Sequence, residues 1–394
     1  MLSTGSQNPI AGGQEMTKRT LGWVGAAVVA MAIVVVLIAW PREMVQRVRI
    51  GAILPLTGDA AVYGKHAKNG IEMAVATANE TRSAADLPIE VIYEDSQADP
   101  KTGLSAFMKL ATVDNVPAVL GPMGSSVALA VAPQADARKV VLLSPTASAP
   151  ALTSAGPYFF RNVASDSYDG RAMAIFCRTR LNLARAAIVF VQNDFGLGLK
   201  NAFAQTYREN GGEVVAELAF NQGALDFRTQ ITRLKAVQPD CVFVVGYKEM
   251  GRFLKQCQEL GLRSQYVSFS MFEDPDIIQQ AGSVAEGAYY TFRSYDPSQA
   301  DSRTAQFVSG YASRYGEAPD IFAALSYDAA RLLVDAIRRG GDSGPEIRQA
   351  LMGVQQFPGV TGDTTFDANG DVIKAIGIKA VKDGKFVWVE RSYP

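Results

Sequence analysis

The chain has 394 residues, 48% of them hydrophobic and 20% charged, with a formal net charge of −1. That length suits about two domains, and the near-neutral charge excludes a nucleic-acid partner, which requires a concentrated basic surface. Cys177, Cys241 and Cys257 stand far apart with no zinc or redox spacing. His66 is the single histidine, so neither a His-based metal site nor a His-dependent triad is expected. No metal and no cofactor are expected either.

At the N-terminus, 1–20 reads as a polar, unpatterned cytoplasmic stretch, within which Met16 is an alternative start to Met1. The next twenty residues, 21–40 (LGWVGAAVVAMAIVVVLIAW), carry no charge. As a helix they extend about 30 Å, enough to span a bilayer core. Trp23 and Trp40 fall near the ends, where amphipathic rings favour the interface. Lys18 and Arg19 precede the span and Arg42, Arg47 and Arg49 follow it, so charge alone does not orient it. No clear small-x-small cleavage site follows, which makes an uncleaved anchor the favoured reading over a removed export signal. The linker 41–46 covers at most about 20 Å, so an anchored body is held close to the membrane.

From Arg47 onward, strand and helix patterns alternate. Strands are expected at 49–54, 89–95, 186–192, 213–220, 241–246 and 266–270, and helices at 65–79, 101–112, 168–181, 196–210, 227–237 and 249–260. The loop 55–64 follows the first strand. A short helix near 276–281, an apolar run at 289–293 and helices at 303–315, 322–339 and 345–352 come next. The tail reads as a hairpin, 373–381 and 386–390, joined by Lys382-Asp383-Gly384-Lys385. One-way β-α alternation implies parallel sheets covered on both faces. The strand number favours two doubly wound lobes over one sheet.

The central stretch, 119–148, holds a short strand, a Gly-Pro-Met-Gly turn, a helix opening at Ser125-Ser126, and a strand ending in Ser144-Pro145-Thr146-Ala147-Ser148. Strand carboxyl ends face the ligand crevice in open α/β sheets. A helix start there offers free N–H groups and a positive dipole end. A pre-formed cradle for a small carboxylate is one reading; Ser125 or Ser126 as a simple N-cap is the other, and the two can coexist. No Gly-x-Gly-x-x-Gly or phosphate-loop motif occurs. Asp194 and Asp226 stand at loop ends without an evident partner, so the chain is not expected to be an enzyme.

Five segments, IGAILPLTGDAAVYGKHAKNGIEMAVATAN, VIYEDSQADPKTG, VLGPMGSSVALAVAP, LLSPTASAPALT and YFFRNVASDSYDG, together resemble the type I periplasmic binding proteins of the leucine/isoleucine/valine group. The resemblance spans 47–394 and implies two lobes joined by three crossings, near 161–164, 290–292 and 359–365. Lobe 1 would comprise 47–162 and 291–357, and lobe 2 would comprise 163–290 and 358–394. It further implies that Ser125, Ser148 and the backbone of Thr146, with Ala147 between them, hold a ligand carboxylate, and that Tyr63 closes over the ligand. Phe195, Tyr247 and Tyr327 match cleft aromatics. Ser270 stands where the group carries the acid that pairs a ligand ammonium, which leaves Glu273, Asp274 or Glu249 as substitutes, or a ligand that is not a free amino acid. The group's first-lobe disulfide has no counterpart: the matching positions lie in 95–99 and at Gly124.

The implied function is an extracytoplasmic solute receptor of an ABC importer. Its expected partners are a small amino acid or related carboxylate, the permease subunits, and the membrane through 21–40. A membrane-anchored sensor ectodomain for amino acids, amides or aromatic acids is the alternative.

Overall fold

A computed structural model describes Gly5 and residues 46–293, 295–297, 302–372, 374 and 376–393. The fold belongs to the second of two compact units, Arg47–Pro394. The expected span at 21–40 lies outside the described residues; among those described, no helix is long and apolar enough to cross a membrane.

Two sheets organise the body. The first has strand order β2-β1-β3-β4-β5, built from β1 (Val48–Leu54), β2 (Ile89–Asp95), β3 (Ala118–Leu120), β4 (Val141–Ser144) and β5 (Phe159–Arg161), every neighbouring pair parallel. Its crossovers are α1 (Ala61–Glu80), α2 (Pro100–Thr112) and α3 (Ser125–Arg138). Both faces are covered, so alternate residues of β1 enter different cores. Ile50, Ala52 and Leu54 pack with Ala67 and Ile71 of α1, whereas Ile53 packs with Phe107 of α2 and Val131 of α3. Double coverage is why these strands read as unbroken apolar runs.

The second sheet has the order β12-β11-β10-β9-β8-β6-β7. Its parallel part comprises β6 (Arg185–Val191), β7 (Glu213–Phe220), β8 (Cys241–Val245), β9 (Gln265–Ser268) and β10 (Tyr289–Arg293). The intervening helices are α4 (Asp166–Thr179), which precedes β6, α5 (Asp194–Glu209), α6 (Arg228–Val237), α7 (Glu249–Glu259) and α8 (Pro275–Ala281). The expected terminal hairpin is present as β11 (Ile376–Lys382) and β12 (Lys385–Tyr393), antiparallel, with Asp383 and Gly384 at positive φ in its turn. Between β10 and β11 the chain forms α9 (Ser302–Tyr315), α10 (Ile321–Gly340) and α11 (Gly344–Met352). These return to the first sheet: Leu332, Leu333 and Leu351 share a core with Ile50 and Leu143. The fold is therefore α/β, with two lobes of parallel sheet, as expected.

At two helix starts a glycine lies against the end of the preceding strand. The first helix begins at Ala61, so Gly64 lies inside it and not in a loop; a Cβ on Gly64 would stand 1.9 Å from the Pro55 carbonyl oxygen. Gly196, in the first turn of α5, would place a Cβ 2.0 Å from the Val191 carbonyl oxygen. Each glycine lets a helix start press against the end of the preceding strand.

Buried polar groups tie distant passages of the chain together. Arg161, fully buried at the end of β5, donates from Nε to Asp371 Oδ1 (2.6 Å) and from Nη2 to Asp371 Oδ2 (2.7 Å). Its Nη1 reaches the Ala149 carbonyl (2.9 Å) and its Nη2 also reaches Thr153 Oγ1 (2.9 Å). The neighbouring Asn162 donates to the Leu325 carbonyl (3.1 Å), while its Oδ1 accepts from Thr364 Oγ1 (3.1 Å) and Lys374 Nζ (3.1 Å).

Candidate functional site

The carboxyl ends of strands from both sheets face one cavity of about 680 Å³. From the first sheet it is lined by the loop before α1, the turn before α3 and the segment after β4; from the second, by the loops after β6, β7, β8 and β9.

The first-sheet wall offers hydrogen-bond donors. Gly124, not a serine, is the N-cap of α3, and no side chain caps the helix. The N–H groups of the first turn, from Ser125 to Val127, therefore have no intrahelical acceptor. They open at the positive end of a 14-residue helix. Ser125 lines the cavity, and its Oγ accepts from the N–H groups of Ser148 (3.2 Å) and Ala149 (3.1 Å), which leaves its own hydrogen to donate. Thr146 also lines the cavity while its hydroxyl is turned to the Met123 carbonyl (3.0 Å), so it presents backbone. Ser148 is present as well, but its hydroxyl donates to Asp166 Oδ2 (2.9 Å). Ala147 does not line the cavity: it is fully buried and its N–H is held by Ser144 Oγ (2.9 Å), which itself donates to the Pro122 carbonyl.

Aromatic rings form much of the remaining wall. Tyr63 stacks on Phe322 of α10 with centroids 4.7 Å apart. The Tyr63 hydroxyl is buried with no hydrogen-bond partner among the described residues. Burial, then the nearby carboxylates of Asp274 and Glu249, push this phenol well above its ordinary range. Phe195 packs on Tyr247 (5.6 Å) and Phe269 (5.3 Å). Tyr247 Oη accepts from Asn193 Nδ2 (3.3 Å), and burial pushes this phenol up to about 12. Ser270 also lines the cavity, in a short 3₁₀ turn where a strand end was expected.

Besides Ala147, two more residues singled out from the sequence lie elsewhere. Glu273 pairs with Lys379 (2.6 Å) and accepts from Tyr290 Oη (2.6 Å), which ties it to the second sheet and away from the cavity. Tyr327 sits one turn too far along α10: it packs against Phe307 (4.7 Å) with the Arg331 guanidinium over its ring (5.6 Å). Of the two other acids considered, Asp274 caps α8 by accepting from the Asp276 N–H (2.8 Å), and burial raises its pKa. Glu249 does line the cavity; it is buried, and its carboxylate accepts from the N–H groups of Gly223 and Tyr247. Sequence reasoning missed Asn193, Phe269, Met271 and Phe322. Only Asn193 carried a signal, as an N-cap asparagine before Asp194.

The two walls also touch directly. The Asp194 N–H donates to Ser126 Oγ at 3.4 Å, and a Cβ on Gly198 would stand 2.6 Å from Pro150 Cδ. Helix-start donors and aromatic rings, contributed by separate lobes around one shared cavity, define a bilobed receptor that encloses a small solute.

The chain belongs to the periplasmic binding protein family, whose sequence profile matches residues 47–385. It is a binding protein and not an enzyme. A Leu/Ile/Val-binding protein homolog of Brucella abortus is 27% identical over 352 residues, covering 87% of this chain and 94% of that protein. The branched-chain amino acid transporter substrate-binding protein LivJ of Streptococcus pneumoniae, solved with isoleucine, superposes with a TM-score of 0.80 at 28% identity, covering 89% of this chain and 100% of that one. An ABC-transporter solute-binding protein of Rhodopseudomonas palustris, solved with 3,4-dihydroxybenzoic acid, gives a TM-score of 0.79 at 25% identity, covering 88% and 96%.

Proposed function

We propose that this chain is the extracytoplasmic solute receptor of an ABC importer, and that it takes a small amino acid or related carboxylate between its lobes. The observation that carries this reading is the uncapped start of α3, where N–H groups and the Ser125 hydroxyl open into the cavity. The ligand carboxylate rests there and on the Thr146 backbone, with Tyr63, Phe195 and Tyr247 excluding water around its body. A ligand touching both walls stabilises the closed form over the open one, and the closed form is what the permease subunits recognise. Lobe boundaries at 162/163, 290/291 and 357/358 and anchoring through 21–40 belong to the same proposal.

A thermal-shift screen against amino acids, short amides and aromatic acids tests it. A true ligand at a hundred times its dissociation constant adds about 2.7 kcal/mol of stability. For a carboxylate hit, Ser125→Ala removes a charge-assisted hydrogen bond of about 1.5–3 kcal/mol, roughly a ten- to hundredfold loss of affinity. An unchanged affinity would refute the assignment of the anion site.

A further inference from the structure

Apart from Asp59, the acids around the cavity are held by groups of the protein. Glu249, the buried one in the wall, opens α7 and accepts from two backbone N–H groups, so its charge is met by those donors and the helix start. Asp276 pairs with Lys248 (2.8 Å), and Asp274 is turned into its helix cap. Asp166 receives the Ser148 hydroxyl, and Glu273 is paired with Lys379 outside the cavity. Asp59 lies on the exposed rim, where water screens it. At the end of β9 the wall offers only the hydroxyl of Ser270. A buried ammonium without a carboxylate partner is strongly unfavourable.

The space that faces the N–H cradle is instead built for apolar mass. Phe195, Tyr247 and Phe269 form one continuous ring cluster, with Met271 beside it in the wall. Tyr63 on Phe322 supplies a second aromatic face, and its hydroxyl is a buried donor with no partner among the described residues. Such a wall suits an aromatic or branched hydrocarbon body, and can satisfy one polar substituent on it.

We infer that the ligand is a monocarboxylate with an aromatic or branched apolar body and no ammonium group. The inference rests on the carboxylate-receptor reading above and narrows its substrate class. Of the two chemistries seen in similar proteins, it favours the aromatic acid over the zwitterionic amino acid.

Matched pairs test it on the full chain. Calorimetric dissociation constants at neutral pH are compared for phenylalanine and 3-phenylpropanoate, for leucine and 4-methylpentanoate, and for benzoate alone. The acid of at least one pair, or benzoate, binds about tenfold or more tighter than either amino acid, a threshold set well below the cost of an unpaired buried ammonium. Amino acids that bind as tightly as their deaminated partners, or tighter, overturn this inference and leave the carboxylate receptor standing. Failure of every acid and every amino acid to bind overturns both.

Discussion

Removing the carboxylate of Asp371 probes a deeply buried ion pair, the one it forms with Arg161. Arg161 is fully buried, and two of its four hydrogen bonds, at 2.6 and 2.7 Å, end on Asp371. Asp371→Asn keeps the size but leaves a guanidinium in the interior without its counter-charge. Breaking a buried pair in this way costs about 3–5 kcal/mol, against a total stability of about 5–15 kcal/mol for a typical protein. The double variant Arg161→Met/Asp371→Leu removes both charges and should recover most of that loss. It does not recover all of it, because the Ala149 carbonyl and the Thr153 hydroxyl also lose Arg161, at about 0.5–1.5 kcal/mol each. Equilibrium urea unfolding followed by tryptophan fluorescence, with m-values compared across the variants, reads all three states. A single variant that loses under about 1 kcal/mol, or a double variant no better than the single, would refute the reasoning.

Gly64→Ala sets a methyl 1.9 Å from the Pro55 carbonyl, a contact between two backbones that cannot be relieved by a rotamer change. About 1–3 kcal/mol of destabilisation is expected, with weakened ligand binding through the displaced Tyr63; intact binding would count against the close approach. His66 Nδ1 lies 2.5 Å from Asp320, and that hydrogen bond, opposed by partial burial and helped by the Asp320 and Glu317 charges, raises its pKa. A raised folded-state value means that its stabilisation is complete below about 6.5, the unfolded value, and is lost as pH rises through the folded value. Denaturation midpoints between pH 5 and 9 should show this fall in the native chain and lack it in His66→Gln. All three cysteines are buried, and burial pushes the Cys257 thiol up to about 12. Alkylation by iodoacetamide at neutral pH is expected only on unfolding, so fast labelling of the native chain would contradict the packing described.

Much of the architecture was readable because it rests on local pattern. Apolar runs such as 141–144 and 241–245 could only be strands covered on both sides, and Asp383-Gly384 between alternating runs could only be a hairpin. What escaped depends on contacts between remote segments. Gly64 looks like a loop residue until the Pro55 carbonyl it presses against is known. Ser125 looks like an N-cap until Gly124 is seen to take that position and the Ser125 hydroxyl is found accepting from Ser148 and Ala149. Glu273 and Glu249 are equivalent as letters; Lys379, more than a hundred residues further on, removes the first from the cavity. Phe322 and Tyr327 both lie in the first turns of α10, and only the docking of that helix decides which ring meets Tyr63 and which meets Phe307.

The single amide of Asn162 holds three passages of the chain: its own, the start of α10 through Leu325, and the 361–374 stretch through Thr364 and Lys374. On the two-lobe proposal above, a shortened side chain at that one position would release all three passages together.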